Sequence, residues 1–579
     1  MSQPSPTLPD GAPFDTAALA RLANELFKAG PGGPGASLAP PAGVPGVQAP
    51  ANVAPAGSPL ASPAGLGPSV PGTPIPQGQL PGTNLIPASP TQLPSLANRV
   101  PALAPSAQAG NGVPDKVYSS APAYEPRGGS NVLGVPALNL GGQRQADAPA
   151  YYFLNEWDRP AAAPAPSPAL GAFSSHPPFD VHAVRRDFPI LRERVNGRQL
   201  VWFDNAATTH KPQSVIDRIS YFYEHENSNI HRAAHELAAR ATDAYEGARQ
   251  RVQRFINAPD VNEVIFVRGT TEAINLVAKS WGAQHIGEGD EIIVSHLEHH
   301  ANIVPWQQLA AAKGARLRVI PVDDSGQILL DEYRKLLNHR TKLVSITQVS
   351  NALGTVTPVR EVVALAHSVG AKALVDGAQS VSHMRIDVQA LGADFFVFSG
   401  HKVFGPTGIG ALWGKREVLE DMPPWQGGGN MIADVTFEKT VYQPIPNKFE
   451  AGTGNIADAV GLGAAIDYVN RIGIDNIARY EHELLEYGTH LLRQIPGVRL
   501  IGTAADKASV MSFVLDGYTT EEVGKALNEE GIAVRTGHHC AQPILRRFGV
   551  ETTVRPSLAF YNTYEEIDRL IAVVRQLAR

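Results

Sequence analysis

The chain has a single cysteine, Cys540, in 579 residues, and it lacks any long uninterrupted hydrophobic run. One cysteine cannot form an intrachain disulfide, so nothing indicates an oxidising compartment. No stretch approaches the roughly 20 apolar residues of a membrane helix, and the amino terminus lacks the basic and apolar regions of a secretory signal. A net charge of −6 does not suit a protein that binds nucleic acid through phosphate contacts. These absences predict a soluble, cytoplasmic protein.

Charge and large apolar side chains are scarce at the start of the chain. Of the 48 prolines, 34 lie in residues 1–180, and no charged residue occurs between Lys28 and Arg99. A chain rich in Pro, Ala and Gly buries too little surface to offset the entropy lost on ordering. The sequence therefore predicts a disordered extension over residues 1–178.

Three short segments interrupt this composition. Residues 15–30 (DTAALARLANELFKAG) have the apolar spacing of an amphipathic helix, residues 130–140 are apolar, and residues 151–160 (YYFLNEWDRP) are aromatic. A helix of this length is marginal in isolation, so it would form on another surface. Two interpretations are open: the segments dock on the chain's own folded part, or a partner recognises them. We favour a partner.

Residues 179–579 have the composition of a folded α/β protein. Apolar strand candidates such as EVIFV, DEIIVS, KLVSITQ, KALVD and DFFVFSG alternate with helical patterns. This order predicts a mostly parallel sheet covered by helices on both faces. Ligands of such sheets bind at the carboxyl ends of the strands, so functional residues should follow the strands directly.

The residues after two of these strands have alternative interpretations. Thr270 and Thr271 follow VIFV after a glycine, which suits an anion at a helix N-terminus, although threonine is also a common N-cap. The stretch HLEHH (296–300) follows IIVS. It lacks the spacing of a zinc helix, and a histidine there could instead stack on a flat ligand.

Asp376 and Lys402 stand at the ends of two further strands. Pyridoxal phosphate (PLP) needs a lysine for covalent attachment and a carboxylate that keeps its ring nitrogen protonated. Ser399 and His401 beside the lysine add donors for a phosphate, and the glycines that follow let backbone approach a cofactor. A lone lysine would be an ordinary surface charge, but the combination favours PLP.

From about Phe179 to the end, the chain resembles the PLP-dependent cysteine desulfurases of aminotransferase class V, and more narrowly their SufS-like, group II members. The stretches that carry the resemblance occur in the family's order: FDNAATTHKPQSVID, HRAAHELAARAT, FVRGTTEAINLVA, EHHANIVPWQ, VSNALGTVTPV, LVDGAQSV, FSGHKVFGPTGIGALWG, PPWQGGGNMI, FEAGTGN and RTGHHCAQP. The resemblance implies fold-type I, PLP as cofactor, a homodimer, and conversion of L-cysteine to L-alanine.

The resemblance also implies roles for individual residues. Lys402 would hold the cofactor, Asp376 would pair with its ring nitrogen, and His299 would stack on the ring and help with proton transfer. The other implied cofactor contacts are Gln379, Thr270, Thr271, Ser399, His401 and, from the second subunit, Thr453. The implied substrate contacts are Arg555, Arg535 and Asn351. No metal is expected.

Cys540 would be the nucleophile that takes sulfur from the substrate and becomes a persulfide. The residues alone leave other interpretations open, because a lone cysteine is often an inert buried side chain. A zinc ligand is a weak interpretation, since adjacent His539 and Cys540 cannot easily reach one tetrahedral ion. Arg535 and the two histidines make an electropositive setting, which favours a reactive thiolate.

The sequence departs from the family at two places. Pro556 follows Arg555 where a small residue is expected, which restricts Arg555 to extended backbone without removing it. The extension resembles that of desulfurases carried as cargo inside family 2A encapsulin shells, which implies a shell protein as partner and a nanocompartment as location. The resemblance divides residues 179–579 into a large PLP domain, about 200–470, and a small domain, about 179–199 plus 471–579.

Two further hypotheses concern function. A selenocysteine lyase, or another class V lyase that does not need the thiol, is the alternative enzyme. A cargo or scaffold role dominated by the extension is the alternative outside catalysis. The family often passes its sulfur to a small SufE- or SufU-like acceptor, but storage of sulfur is also conceivable.

Overall fold

The computed structural model describes residues 179–231 and 235–579. The predicted disordered extension, with its segments 15–30, 130–140 and 151–160, lies outside the described residues. None of the described helices is both long enough and apolar enough to cross a membrane.

A seven-stranded sheet forms the centre of the fold and confirms the predicted α/β class. Its strands are β4 (Val264–Val267), β5 (Glu291–Ser295), β6 (Arg316–Ile320), β7 (Thr341–Thr347), β8 (Lys372–Asp376), β9 (Phe395–Ser399) and β10 (Gly410–Gly414). They lie in the order β4-β10-β9-β8-β7-β5-β6, and only β10 runs antiparallel to its neighbours. The carboxyl ends of the other six strands therefore share one edge.

The remaining strands are short. They are β1 (Arg194–Val195), β2 (Arg198–Gln199), β3 (Val201–Trp202), β11 (Ile432–Val435), β12 (Thr440–Tyr442), β13 (Val498–Leu500), β14 (Phe513–Leu515), β15 (Ile532–Ala533), β16 (Arg535–Gly537) and β17 (Thr553–Arg555). Strands β13, β14, β17 and β16 form an antiparallel sheet in that order. Strand β15 pairs in parallel with β3, and these two strands form a separate two-stranded sheet.

Fifteen α-helices surround the sheets in the described part of the chain. They are α1 (Val181–Arg185), α2 (Gln213–His225), α3 (Glu236–Phe255), α4 (Thr270–Val277), α5 (Ala283–His285), α6 (Val304–Lys313), α7 (Leu330–Leu336), α8 (Val359–Ser368), α9 (Val388–Leu391), α10 (Arg416–Asp421), α11 (Ile456–Ile472), α12 (Ile474–Arg493), α13 (Thr520–Glu529), α14 (Gln542–Arg547) and α15 (Tyr564–Leu577). A π-helical stretch, Ala278–Gly282, joins α4 to α5.

The sheet is buried on both faces, which explains its continuous apolar strands. In β9, Phe396 and Phe398 belong to the hydrophobic core on one face, whereas Phe395 and Val397 belong to the core on the other. This division follows from the two-residue period of a strand. The predicted helical patterns fall on α4, α6 and α8, which cover these faces. The proposed boundary between a large and a small domain near residue 470 stays a prediction.

Arg249 of α3 is fully buried and connects this helix to strand β4 and to the segment that contains Glu450. Its side chain is 1% exposed, and its Nη1 and Nη2 donate to the two oxygens of Glu450 at 2.6 and 3.0 Å. Nη1 also donates to the carbonyl of Val264 in β4 at 2.8 Å, and the guanidinium lies 4.7 Å from the Phe266 ring centre. Removing one partner would leave the other charge buried and uncompensated.

We therefore expect Arg249→Ala to lower the free energy of unfolding by about 3–5 kcal/mol, measured by denaturant titration. Arg251→Ala is the matched control, because Arg251 pairs with Asp467 at the surface with a side chain that is 26% exposed. The control should cost no more than about 1 kcal/mol. Equal losses in both variants would contradict the role assigned to the buried pair.

Candidate active site

A cavity of about 210 Å³ lies at the shared carboxyl edge of the central sheet. Twelve of the thirteen residues predicted to form the site line it: Thr270, Thr271, His299, Asn351, Asp376, Gln379, Ser399, His401, Lys402, Arg535, Cys540 and Arg555. Thr453 does not line it and is exposed. The contribution of Thr453 from a second subunit stays a prediction.

Asp376 and Lys402 bring opposite charges to the floor of this cavity. Asp376 ends β8, is 3% exposed, and accepts a hydrogen bond from the backbone N–H of Ala378 at 2.9 Å. Burial raises the pKa of Asp376, although the Ala378 N–H and the charge of Lys402 oppose the shift. Burial lowers the pKa of Lys402 to about 8, and the charge of Asp376 limits that fall. The lysine amine is therefore partly neutral near physiological pH.

The turn after β4 holds a group of donors at the beginning of α4. Gly269 has φ of +152°, and a β-carbon there would lie 3.0 Å from Ser399 Oγ. The N–H of Thr270 donates to Ser399 Oγ at 2.9 Å, and the two hydroxyls are also 2.9 Å apart. Hydroxyls at a helix N-terminus suit an anion such as phosphate.

The His401 ring is a neutral hydrogen-bonding group on the same side of the cavity. Burial, followed by the charges of Lys402 and Lys211, lowers its pKa to about 4. Its Nδ1 lies 3.2 Å from Thr208 Oγ1, and its backbone carbonyl accepts from the N–H of Thr209 at 3.0 Å. Thr208 and Thr209 therefore hold His401 in place through hydrogen bonds to its ring and its carbonyl.

His299 is held in one orientation by its own backbone. Its Nδ1 accepts from the N–H of Ala301 at 3.0 Å, so the neutral ring carries its proton on Nε2. Burial and the charge of Lys402 lower its pKa to about 3. The ring is thus neutral near physiological pH.

Glu298 was not predicted as a site residue, yet its hydrogen bonds anchor the loop that carries His299. It is fully buried, and its carboxyl accepts from Asn302 Nδ2 at 2.6 Å and from the N–H of Thr347 at 3.1 Å. Burial raises its pKa to about 8. In the sequence, only the presence of a glutamate in HLEHH pointed to this residue. Its hydrogen bond to the Thr347 N–H joins two parts of the chain that are distant in sequence.

Two arginines lie side by side in the lining of the cavity. Arg535 of β16 lies directly opposite Arg555 of β17 in the antiparallel pair. Arg555 is 2% exposed, its Nη2 donates to Asp204 Oδ1 at 3.0 Å, and Arg535 Nη1 is 3.9 Å from Asp204 Oδ2. The buried Nε of Arg555 has no hydrogen-bond partner among the described residues. Asp204, which was not predicted as a site residue, lies within ion-pair distance of both arginines. Arg555 lines the cavity although Pro556 follows it.

The Cys540 loop is a strained turn tied to the rest of the site. His539 and Cys540 have φ of +52° and +54°, values that non-glycine residues rarely adopt. The carbonyl of His539 accepts from Asn351 Nδ2 at 2.7 Å, and the carbonyl of Cys540 accepts from the N–H of His300 at 2.8 Å. The thiol is half-buried at the cavity wall. No cluster of three or more potential metal ligands occurs in the described part of the chain.

Comparisons with known proteins agree with this geometry. Residues 201–570 match the aminotransferase class-V family. A cysteine desulfurase of Synechococcus elongatus is 73% identical over 399 residues, which cover 69% of this chain and 64% of that protein. A probable cysteine desulfurase of Mycolicibacterium paratuberculosis is 58% identical over 533 residues, covering 90% of this chain and 76% of that protein.

Similarity also extends to solved structures. The cysteine desulfurase CsdA from Escherichia coli, in an S-sulfonic acid form, superposes with a TM-score of 0.65 at 38% identity. The match covers 69% of this chain and 98% of that one. By contrast, the matched region spans less than two thirds of the Synechococcus protein.

The cavity residues fit PLP. Asp376 is a fully enclosed carboxylate whose Oδ1 accepts a hydrogen bond from the Ala378 N–H, and Lys402 is a buried amine in the same cavity. The hydroxyls of Thr270 and Ser399 meet at the N-terminus of α4, which suits the phosphate. Lys402 would hold the cofactor, and Asp376 would keep its ring nitrogen protonated.

The lowered pKa of Lys402 predicts how covalent attachment of PLP depends on pH. Only the neutral amine is nucleophilic, so the initial rate of attachment to the apoprotein should rise with pH. It should reach half its maximum near pH 8, because burial lowers the pKa of Lys402 to about 8. An ordinary lysine would give a midpoint near 10.4. Intact mass after borohydride reduction, measured at a series of pH values, reports attachment.

Asp376→Asn tests the cause of that midpoint. The Asp376 charge raises the pKa of Lys402, so its removal should shift the midpoint to lower pH. Lys402→Ala is the control and should retain no covalently attached cofactor. A midpoint near pH 10 in the unaltered protein would contradict the burial of this amine.

Proposed function

Because the chain belongs to the aminotransferase class-V family and, within it, to the cysteine desulfurases, we propose that residues 179–579 convert L-cysteine to L-alanine and leave a persulfide on Cys540. The observation that carries the proposal is the position of the only thiol of the chain in one cavity with Lys402, Asp376 and Arg555.

The cofactor supplies an electron sink that weakens bonds at the α- and β-carbons of a bound amino acid. The described residues supply binding and proton transfer. Asp376, enclosed at the end of β8, would keep the ring nitrogen protonated. Thr270, Ser399 and His401 would bind the phosphate, and the amide of Gln379, anchored by its Nε2 to the carbonyl of Ala206 at 2.7 Å, would bond the phenolic oxygen.

Arg555 and Arg535 would bind the substrate carboxylate. A guanidinium presents two parallel N–H groups to a carboxylate, which fixes its orientation. Asp204 compensates the Arg555 charge before substrate arrives, and the unpartnered Nε of Arg555 provides further donor capacity. Asn351 holds the carbonyl of His539, so it positions the Cys540 loop beside the same carboxylate site.

Proton transfer would involve His299 and Lys402. Neutral His299 carries its proton on Nε2, away from the Ala301 N–H, so it can donate there. Lys402, with its pKa lowered to about 8, can take up and release a proton at Nζ near neutral pH. These two groups line the same cavity as the thiol.

Sulfur transfer would then take place at Cys540. The thiolate attacks the sulfur of the substrate cysteine, a new S–S bond forms, and the C–S bond breaks. The electron pair of the broken bond stays with the β-carbon, which a proton converts to the methyl group of alanine. The strained backbone at Cys540 fixes the thiol at the cavity wall for this attack.

Cys540→Ala should lower alanine formation from L-cysteine by at least about 100-fold, because no other thiol can accept the sulfur. An amperometric or chromatographic alanine assay, with intact mass for the added sulfur, measures the loss. Unchanged visible absorbance of the variant is the control for cofactor binding. Selenocysteine cleavage that survives in the variant would indicate that the thiol is required only for sulfur. Full turnover of L-cysteine by the variant would exclude Cys540 as the nucleophile.

We further propose that the active enzyme is a SufS-like homodimer that hands its sulfur to a small acceptor protein. Thr453 is exposed in its own subunit, which supports its use by a second copy. The hairpin of β11 and β12 exposes Val435 and Phe437, which suits contact with another protein surface.

The extension is proposed to load the enzyme into an encapsulin-like protein shell. The support is the composition of residues 1–178 and the amphipathic pattern of residues 15–30. A scaffold role in which catalysis is secondary is less well supported, because the proposed cofactor and substrate residues other than Thr453 line one cavity.

Deletion of residues 1–175 separates the two roles. Alanine formation by the free enzyme should remain within about twofold, because every cavity residue lies after residue 200. Co-purification with a co-expressed shell protein should be lost. A deletion that abolished turnover in solution would contradict the view that the extension serves only to target the enzyme. Continued co-purification would place the docking signal in the folded part.

A further inference from the structure

The residues proposed to bind the cofactor phosphate carry no positive charge. Three of them have hydroxyl groups, and the fourth, His401, is neutral because burial and nearby positive charge lower its pKa to about 4. The cations in the described lining of the cavity are Lys402, Arg535 and Arg555, which are assigned to cofactor attachment and to the substrate carboxylate. A phosphate monoester carries nearly two negative charges at neutral pH. The N-terminus of α4 offsets only part of that charge.

Lys211 is a half-buried cation close to this group of residues. Its Nζ donates to the carbonyl of Thr209 at 2.5 Å and to Thr208 Oγ1 at 3.4 Å. Burial lowers its pKa to about 8, and no carboxylate of the described residues opposes that shift. Its charge contributes to the lowered pKa of His401, so the two groups interact electrostatically. Lys211 is therefore a cation whose charge is not compensated in the absence of a ligand.

Thr208 connects this lysine to the His401 ring. Thr208 Oγ1 lies 3.2 Å from His401 Nδ1 and 3.1 Å from the carbonyl of His401. An ammonium group can only donate, so Oγ1 accepts from Lys211. The single proton of the hydroxyl is then left for one of two acceptors, the ring nitrogen or the carbonyl.

The carbonyl of His401 has two other donors. It accepts from the N–H of Thr209 at 3.0 Å and from Thr209 Oγ1 at 3.2 Å, which occupies both of its lone pairs. Thr209 Oγ1 accepts in turn from the N–H of Phe404 at 2.8 Å, so its own proton is directed to the carbonyl. The Thr208 proton therefore serves His401 Nδ1, and the neutral ring carries its own proton on Nε2. Because His401 lines the cavity, this N–H can donate to a phosphate oxygen.

We infer that Lys211 and Thr208 prepare His401 for the cofactor phosphate: Thr208 fixes the ring proton on Nε2, and Lys211 supplies positive charge. Both are positioning residues, since neither lines the cavity. The opposite tautomer would direct a lone pair of Nε2 toward the phosphate oxygens, which is repulsive. The inference rests on the proposed contact between His401 and the phosphate.

Binding of PLP and of pyridoxal, which lacks the phosphate, to the full-length apoprotein tests the inference. Visible absorbance gives both dissociation constants, and their ratio isolates the phosphate contribution because both compounds attach to Lys402. Lys211→Met should weaken PLP binding about tenfold and pyridoxal binding less than about twofold. Lys211→Arg keeps the charge and should restore PLP binding to within about threefold.

Lys342→Met is the matched control for the loss of one positive charge. Lys342 lies outside the cavity lining, and its side chain is 39% exposed with Nζ 3.8 Å from Asp290 Oδ1. Screening by solvent should leave both dissociation constants unchanged in this variant.

Thr208→Val tests the tautomer, because valine keeps the shape of threonine and removes its hydroxyl. PLP binding should weaken about tenfold relative to pyridoxal binding, and Thr208→Ser should restore it. Nitrogen NMR of histidine-labelled protein, with the His401 signals identified by their loss in His401→Asn, should show the proton on Nε2. In Thr208→Val the same signals should indicate a mixture of both tautomers.

The pH dependence gives a further readout that a purely structural role would not produce. Bound phosphate raises the pKa of Lys211, so the preference for PLP over pyridoxal should be complete below about pH 8 and fall as the pH rises above it. His210 and His401, whose pKa values the charge of Lys211 also lowers, are both near 4 and stay neutral in this range. Lys211→Arg should remove the decline.

A ratio of the two dissociation constants that stays within about twofold of the unaltered protein in both Lys211→Met and Thr208→Val would overturn the inference. Equal losses of PLP and pyridoxal binding would overturn it too, because they would indicate a damaged cavity and no specific effect on the phosphate. Failure of the unaltered apoprotein to attach either compound would be a different result, which contradicts the proposed function and this inference with it.

Discussion

The opposite charges of Asp376 and Lys402, enclosed at one edge of a parallel sheet, are the constraint on which the site depends. Each would be unfavourable alone at this depth, because burial raises the pKa of the acid and lowers that of the amine. Together they leave a lysine that is partly neutral near pH 8 and an acid whose charge is stabilised by that lysine. The sheet makes this possible, since β8 and β9 are adjacent and parallel and end at the same edge.

Compensated charge also occurs at the two arginines that line the cavity. Arg535 and Arg555 face each other across two paired strands, an arrangement of like charges that Asp204 compensates. Asp204 belongs to the segment that follows β3, and it forms an isolated β-bridge with Ser557, just after β17. The same segment lines the active-site cavity through Ala206 and Ala207. One short stretch thus contacts both the cavity and the two arginines.

Much of this arrangement could be predicted from the sequence, for reasons that differ between elements. The seven strands of the central sheet were predictable because their apolar runs reflect burial on both faces, and their order along the chain indicated where functional residues follow. Asp204 and Glu298 were not predicted as site residues. Their partners, Arg555 and Thr347, are distant in sequence, and the acids themselves look like ordinary surface charges until the fold encloses them.

By itself the sequence determined the α/β class through its strand pattern and favoured PLP through its lysine and aspartate at strand ends. The cysteine that lines the same cavity was indicated by the resemblance to the cysteine desulfurases. Only the tertiary structure decided that Thr453 lies outside the cavity and that His539 and Cys540 take a strained backbone. These features arise from contacts between segments hundreds of residues apart, such as β3 with β15, and no local pattern encodes the geometry of such contacts.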